Sequence, residues 1–194
     1  MKKIIKSHNF LLKDGQNAVL RQLRPNDTVK IVDFLSKLSL QTRQLYTLDD
    51  YGIKTAEALC KSLTKPEKLH FVIEVDSSEI IALVKLSLDL PEADRLRFDQ
   101  YGANLISGQV CRWGICIADK YQNAGIGRIA LEHVIDVSEQ YEQKVIISSG
   151  GIFANNERAI NLCNSYGFKI VGKFTDINGR DHVDMLREAW STRH

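Results

Sequence analysis

Residues 113–128 have the types and the spacing of an anion-binding loop. An apolar stretch is followed by a short polar segment with two glycines, Gly125 and Gly127, and then by a helical pattern. Free N–H groups at the start of a helix attract anions, and glycine lets the backbone approach a bound group closely. Lys120 and Arg128 add positive charge beside this segment. The segment therefore predicts a pocket for an anionic group such as a phosphate.

Other interpretations of the two glycines are open at this point. A tight turn between a strand and a helix is the simplest alternative, because short glycine motifs occur by chance. A dinucleotide-binding loop is less consistent, since Ala130 stands where its third glycine would be. A Walker loop is excluded because no Gly-Lys-Ser or Gly-Lys-Thr follows.

The elements that must position this loop follow from hydrophobic periodicity. Alternating or compact apolar runs predict strands, and apolar residues three to four apart predict helices, in the order β-α-α-β-β-β-α-β-α-β-β. Asn178 and Gly179 predict a hairpin turn between the last two strands. Residues 41–50 form a polar stretch, and residues 89–108 are charged and expected to be irregular. This mixed order indicates an α+β fold with one central sheet.

The composition limits the classes of partner. The 194 residues carry 26 Lys and Arg against 24 Asp and Glu, a formal net charge of +2, which offers no broad field to a nucleic acid or an anionic membrane. The four cysteines lack the spacing of a zinc site, so we expect reduced, buried thiols and no metal. No apolar run reaches the ~18 residues that span a membrane. We expect a cytoplasmic monomer or homodimer with a single domain over residues 1–194.

Two motifs resemble the GNAT superfamily of N-acetyltransferases. Residues 122–127, Gln-Asn-Ala-Gly-Ile-Gly, are similar to its Q/R-x-x-G-x-G/A loop. Residues 156–168 are similar to its N-x-x-A-I-x-L-Y-x-x-x-G-F helix. The two motifs follow in the family's order, with a helix and a strand between them. The resemblance is clear from about residue 109 to 174, and residues 1–16 would be an additional N-terminal segment.

The resemblance implies a fold, an activity and a cofactor. The implied fold is a central mixed, mostly antiparallel sheet flanked by about four helices, whose strands separate near Gly114. The implied activity is transfer of an acetyl group from acetyl-CoA, the acyl-donor cosubstrate, to a primary amine of a small molecule or protein by direct attack. A non-catalytic acyl-CoA-binding or regulatory module on the same fold is the alternative.

The resemblance also assigns cofactor contacts. In the family, the strand before the loop pairs with the pantetheine arm, the loop and the following helix hold the pyrophosphate, and the motif asparagine contacts CoA. The corresponding residues here are Ile115, Cys116, Ile117, Gln122, Asn123, Ala124, Gly125, Ile126, Gly127, Arg128 and Asn156.

The groups that would move protons depart from the family pattern. Many members protonate the departing CoA thiolate with the tyrosine of the helix motif, and Cys163 occupies that position. We interpret Cys163 as a packing residue, with proton donation and a covalent acyl intermediate as alternatives. Tyr166 follows one turn later on roughly the same face, and His182 titrates in the useful range, although a histidine at a strand end is more often solvated. Members resembling ribosomal-protein N-terminal acetyltransferases carry an acidic base where this chain has Gly151.

Acceptor recognition in the superfamily falls to the region between the first two helices and to variable loops. The candidates here are Arg43, Tyr46, Asp49 and Asp50. The aspartates suit a cationic amine and Arg43 suits a carboxylate or a phosphate, although ordinary loop polarity explains them equally well. These residues do not choose among amino sugar, amino acid, polyamine, antibiotic and protein N-terminus.

Overall fold

The computed structural model describes residues 3, 5–46, 48, 50–76 and 79–188. The chain divides into two compact units, which we call unit 1 (residues 1–86 and 115–131) and unit 2 (residues 87–114 and 132–194).

Unit 1 combines an antiparallel sheet with helices. Its strands pair in chain order and are β1 (His8–Leu11), β2 (Asn17–Gln22), β3 (Phe71–Val75) and β4 (Glu79–Ser87). Its helices lie between β2 and β3 in the chain and are α1 (Thr28–Ser36), α2 (Leu40–Gln44) and α3 (Ile53–Ser62). The core lies between these helices and the sheet, where Phe34 of α1 and Leu59 of α3 belong to one buried cluster with Val72 and Leu83.

Charged residues are also buried in unit 1. Arg21 is 7% exposed, and its guanidinium pairs with the carboxylates of Asp27 and Glu74 at 2.7 and 2.6 Å. Lys30 pairs with the second oxygen of Glu74. Buried charges are tolerated where they are paired and hydrogen-bonded in this way.

Unit 2 is organised around its last strand. It begins with α4 (Glu92–Gln100) and includes parts of two elements shared with unit 1, β5 (Val110–Ile117) and α5 (Ile126–Gln140). The elements that follow are β6 (Val145–Ser148), β7 (Ile152–Phe153), α6 (Glu157–Ser165), β8 (Lys169–Thr175) and β9 (Asp181–Glu188). Strand β9 pairs antiparallel with β6, β7 and β8, whereas β6 runs parallel to β5.

The parallel pairing of β5 with β6 ends just before Gly114. Its last register pair joins Trp113 to Ser148, and the Trp113 carbonyl accepts a hydrogen bond from the Ser149 N–H at 2.9 Å. Gly150 and Gly151 then adopt φ values of 71° and 74°, a left-handed conformation that glycine takes without a steric cost. This pair of glycines turns the chain from β6 into β7.

The expected α+β class, with a mixed and mostly antiparallel sheet, is confirmed. The described residues contain six α-helices, compared with the four or so expected. Residues 89–108 were expected to be irregular, and this is wrong, because they contain all of α4. The polar residues 41–50 contain most of α2, which the sequence did not reveal. The N-terminal residues 1–16 contribute β1. No helix among the described residues has both the length and the apolar character that a membrane span requires.

Candidate functional site

The glycine loop in unit 1 presents a row of backbone donors. Asn123 and Gly125 have φ values of 63° and 86°, so the chain turns twice through the left-handed region before α5 begins. Among the described residues, no acceptor is present for the backbone N–H groups of residues 123–127. Consecutive N–H groups in such a conformation, at the start of a helix, form an anion-binding concavity.

The side chain of Gln122 joins the glycine loop to β5, the strand that precedes it. Cys116 is 1% exposed and belongs to the core of unit 1, whereas Ile115 and Ile117 are half-buried. The Ile117 carbonyl accepts a hydrogen bond from the side-chain amide of Gln122 at 3.2 Å. This contact connects the end of β5 to the start of the glycine loop.

A polar network joins the same segment to the start of α2. Asp119 accepts hydrogen bonds from the backbone N–H of Ser39 at 2.9 Å, from the Ser39 hydroxyl at 2.5 Å and from the Thr42 hydroxyl at 2.7 Å. The Thr42 hydroxyl also accepts from Gln122 at 3.0 Å. Burial on its own would raise the pKa of Asp119, but the hydrogen bonds from Ser39 and Thr42 outweigh it and hold the pKa below its usual value.

Two of the residues predicted to recognise the acceptor substrate make local hydrogen bonds. The Arg43 guanidinium donates to the carbonyls of Leu35 and Ser36 at 3.2 and 2.8 Å, which satisfies acceptors at the end of α1. Asp50 accepts from the Gly52 N–H at 2.5 Å and from the Thr55 hydroxyl at 3.2 Å, at the start of α3. Asp49 lies outside the described residues.

Tyr46 is the third residue predicted to recognise the acceptor substrate, and its hydroxyl lies beside Cys116 of β5. Burial of its hydroxyl, with the Cys116 thiol beside it, raises the pKa of Tyr46 well above its ordinary value. Cys116 is affected in the same way, since burial raises the pKa of its thiol to about 12. Both groups therefore keep their protons at neutral pH.

The helix motif lies in unit 2. Asn156 is the N-cap of α6, and its side chain accepts a hydrogen bond from the Ala159 N–H at 3.2 Å. Cys163 is 1% exposed, and burial raises the pKa of its thiol to about 12. The Tyr166 hydroxyl donates to a Glu132 carboxylate oxygen at 2.5 Å.

His182 is buried, not solvated as a strand-end histidine usually is. It is 2% exposed because its ring lies between the rings of Phe153 and Phe174, at centroid distances of 4.3 and 4.8 Å. Its Nε2 atom lies 3.3 Å from a carboxylate oxygen of Asp176 in the β8–β9 turn. The sequence did not reveal this because the two phenylalanines come from β7 and β8.

The Phe174 ring and the Cβ atom of His182 occupy the space beside Gly151. A Cβ atom at this position would lie 2.7 Å from Phe174 Cε1, closer than real contacts allow, and 3.1 Å from His182 Cβ, which is tighter than most real contacts. The absence of an acidic residue at this position therefore has a steric reason in this chain.

Some of the polar contacts were missed by sequence reasoning. Ser39 and Thr42 have the spacing of an N-cap pair, which would have indicated the start of α2. Their connection to Asp119 spans about 80 residues and leaves no local signal.

The described residues contain no group of three His, Cys, Asp or Glu side chains arranged to hold a metal ion.

The comparisons with known proteins agree with this geometry. Residues 35–168 match the model of the acetyltransferase (GNAT) family. An acetyltransferase of Pseudomonas aeruginosa is 29% identical over 159 residues, which cover 81% of this chain and 77% of that relative.

Solved structures with low identity share the fold. The ribosomal-protein-S5-alanine acetyltransferase of Vibrio fischeri has a TM-score of 0.72 at 16% identity, covering 95% of this chain and 98% of that one. RimJ of Mycobacterium smegmatis, solved in complex with CoA-disulfide, has a TM-score of 0.70 at 17% identity and covers 97% of this chain and 89% of that one. The family model matches more than half of the residues of this chain. The chain therefore belongs to the acetyltransferase (GNAT) family and is an acetyltransferase.

Proposed function

We propose that this enzyme binds acetyl-CoA through residues 115–128 and transfers the acetyl group to a primary amine of a small molecule or protein. The observation that carries this proposal is the row of backbone N–H groups at residues 123–127, which lack an acceptor among the described residues. Such a row binds the oxygens of a phosphate or pyrophosphate without requiring a particular side chain. The exposed Arg128 adds a cation to the same turn.

Direct attack by the acceptor amine is the mechanism that the cysteines support. The free amine attacks the thioester carbonyl carbon, a C–N bond forms and the C–S bond breaks. The nitrogen gives up one proton as the amide forms, and the departing thiolate takes up one proton. A covalent acyl-cysteine route would need a thiolate, because the thiolate is the nucleophilic form. Cys163 keeps its proton at neutral pH, since burial raises the pKa of its thiol to about 12.

The roles that we propose for the other candidates follow from their contacts. We propose that proton transfer involves Tyr166 and His182. The Tyr166 hydroxyl donates a hydrogen bond to Glu132, and the His182 ring lies beside Asp176. Arg43 holds backbone at the end of α1, so we propose that it acts indirectly on acceptor binding.

Two matched glycine variants test the cofactor site. Gly125 and Gly179 have φ values of 86° and 75°, and at either one an added Cβ meets no atom within 4 Å. Replacement of either by Ala carries a similar backbone cost of roughly 1–2 kcal/mol. Only Gly125→Ala places a methyl group in the proposed phosphate loop. We expect Gly125→Ala to raise the dissociation constant of acetyl-CoA about tenfold or more, the effect of losing roughly one hydrogen bond to a phosphate oxygen.

Isothermal titration calorimetry of the two variants and the native enzyme measures this difference. The native enzyme and Gly179→Ala should bind acetyl-CoA with equal affinity. Absence of binding by the native enzyme at millimolar acetyl-CoA, or equal binding by Gly125→Ala, would contradict the proposed site. Release of CoA thiol with a panel of amines then identifies the acceptor class.

A further inference from the structure

The loop that we propose to bind acetyl-CoA is held by side chains outside the family motif. Thr42 lies on α2 and is 6% exposed, and Asp119 lies between β5 and the glycine loop. Together with Ser39 and Gln122 they form a chain of hydrogen bonds from the start of α2 to the first residue of the loop motif.

The chemistry of a hydroxyl fixes the direction of this chain. A threonine hydroxyl has one proton to donate and two lone pairs to accept with. Thr42 donates its proton to the Asp119 carboxylate at 2.7 Å, and this orients a lone pair toward the Gln122 amide at 3.0 Å. The charge on Asp119 strengthens its hydrogen bonds relative to bonds between neutral groups.

The position of Gln122 decides what this network can control. Its amide nitrogen donates to Thr42 and to the Ile117 carbonyl at 3.2 Å. One side chain thus joins the end of β5 to the point where the loop begins, and the loop then enters its left-handed turn at Asn123. The arrangement of the N–H groups at residues 123–127 depends on where Gln122 is held.

We propose that Thr42 and Asp119 are positioning residues, which act through Gln122 to keep the loop in its ligand-binding conformation. This inference rests on the proposed function, because it concerns the same acetyl-CoA site. Neither residue needs to touch acetyl-CoA. Preorganisation of this kind increases affinity because the ligand no longer has to order the loop.

The test compares a variant that removes the hydroxyl with one that keeps it. Thr42→Val has nearly the same shape but cannot link Asp119 to Gln122, and we expect the dissociation constant of acetyl-CoA to rise about 5- to 20-fold. Thr42→Ser keeps the hydroxyl and should restore most of the affinity. Asp119→Asn removes the charge, and we expect a rise of the same order.

A double variant separates this role from a general loss of stability. Because both residues act through one network, Thr42→Val combined with Asp119→Asn should weaken binding little more than either change alone. Ser62→Ala removes another half-buried hydroxyl of unit 1, which bonds to the Leu59 carbonyl at 2.7 Å. It should lower the melting temperature without changing acetyl-CoA affinity.

The outcomes distinguish the two proposals. If the native enzyme does not bind acetyl-CoA, the proposed function fails and this inference fails with it. If the native enzyme binds and Thr42→Val and Asp119→Asn both bind within about twofold of it, only the positioning role is overturned. Additive losses in the double variant, or no rescue by Thr42→Ser, would also overturn it.

Discussion

Cys163 occupies the position where the family motif has a tyrosine, and its surroundings assign it to packing. The thiol is 1% exposed, and burial raises its pKa to about 12. A group with so high a pKa is a poor proton donor to a departing thiolate and a poor nucleophile at neutral pH. We therefore expect its contribution to lie in the stability of unit 2.

Replacement of Cys163 by Ala and by Ser tests this assignment. Both variants should retain kcat within about threefold of the native enzyme. Cys163→Ala should lower the free energy of unfolding by about 1–2 kcal/mol through the small cavity it leaves. Cys163→Ser should cost at least as much, because it buries a hydroxyl. Steady-state kinetics and urea unfolding measure the two effects, and a tenfold loss of kcat in both variants would show a chemical role.

Prediction from sequence succeeded at the residue scale where neighbours in the chain decide the conformation. The turn at Gly125 depends on the glycine itself and on the helix that follows, so a local motif was enough. The burial of His182 depends on rings from two other strands, and the role of Thr42 depends on a carboxylate 77 residues away. Contacts of this kind leave no periodic or local pattern in the sequence.

Helix α4 shows how an element can be held without an apolar stripe. Its buried residues are Asp94 and Phe98. Arg97 on α4 forms two hydrogen bonds with Asp184 of β9, at 2.6 and 3.1 Å, and Asp184 is fully buried. Because the helix is charged on most sides, hydrophobic periodicity could not reveal it.

Tyr101, the residue that follows α4, packs against Gly172 of β8. A Cβ atom on Gly172 would lie 2.3 Å from two atoms of the Tyr101 ring. We expect Gly172→Ala to lower the free energy of unfolding by about 1–3 kcal/mol, the usual cost of overpacking. In a Tyr101→Ala background the same change should cost much less, because the overlapping ring is gone. Urea unfolding of the two single variants and the double variant measures this coupling, and additive costs would show that the ring and the glycine are independent.

At the scale of the whole molecule, buried thiols make stability depend on alkaline pH. Burial raises the pKa of Cys111, Cys116 and Cys163 to about 12. In the unfolded chain these thiols lose their protons near pH 8.5, whereas the folded protein retains them. Their contribution to stability is therefore complete below the unfolded pKa and is lost as the pH rises toward 12.

Urea unfolding at about pH 8 and about pH 10 tests this dependence. The free energy of unfolding should fall with pH by up to about 1.4 kcal/mol per unit for each of the thiols. Cys163→Ala removes one titrating group and should flatten the slope by roughly a third. A flat profile over this range, or an unchanged slope in the variant, would contradict the assignment.

The order of the larger elements was predictable because each carries a periodic pattern of its own. Phe71, Ile73 and Val75 alternate along β3, and Ile31, Phe34 and Leu35 recur at helical spacing in α1. Strand β7, with two residues, and α2, with five, are too short to show a period. The partners of each strand could not be predicted by periodicity, since pairing depends on residues distant in the chain.

The packing around Gly151 also constrains the order in which substitutions can accumulate here. An acidic side chain at this position would overlap Phe174 and would require a φ of 74°. A lineage that acquires the carboxylate must therefore move or lose the Phe174 ring, and with it the stacking against His182. A side chain at position 151 and the Phe174 ring in its present place exclude each other. Among relatives, a large aromatic residue at position 174 should therefore co-vary with glycine at position 151.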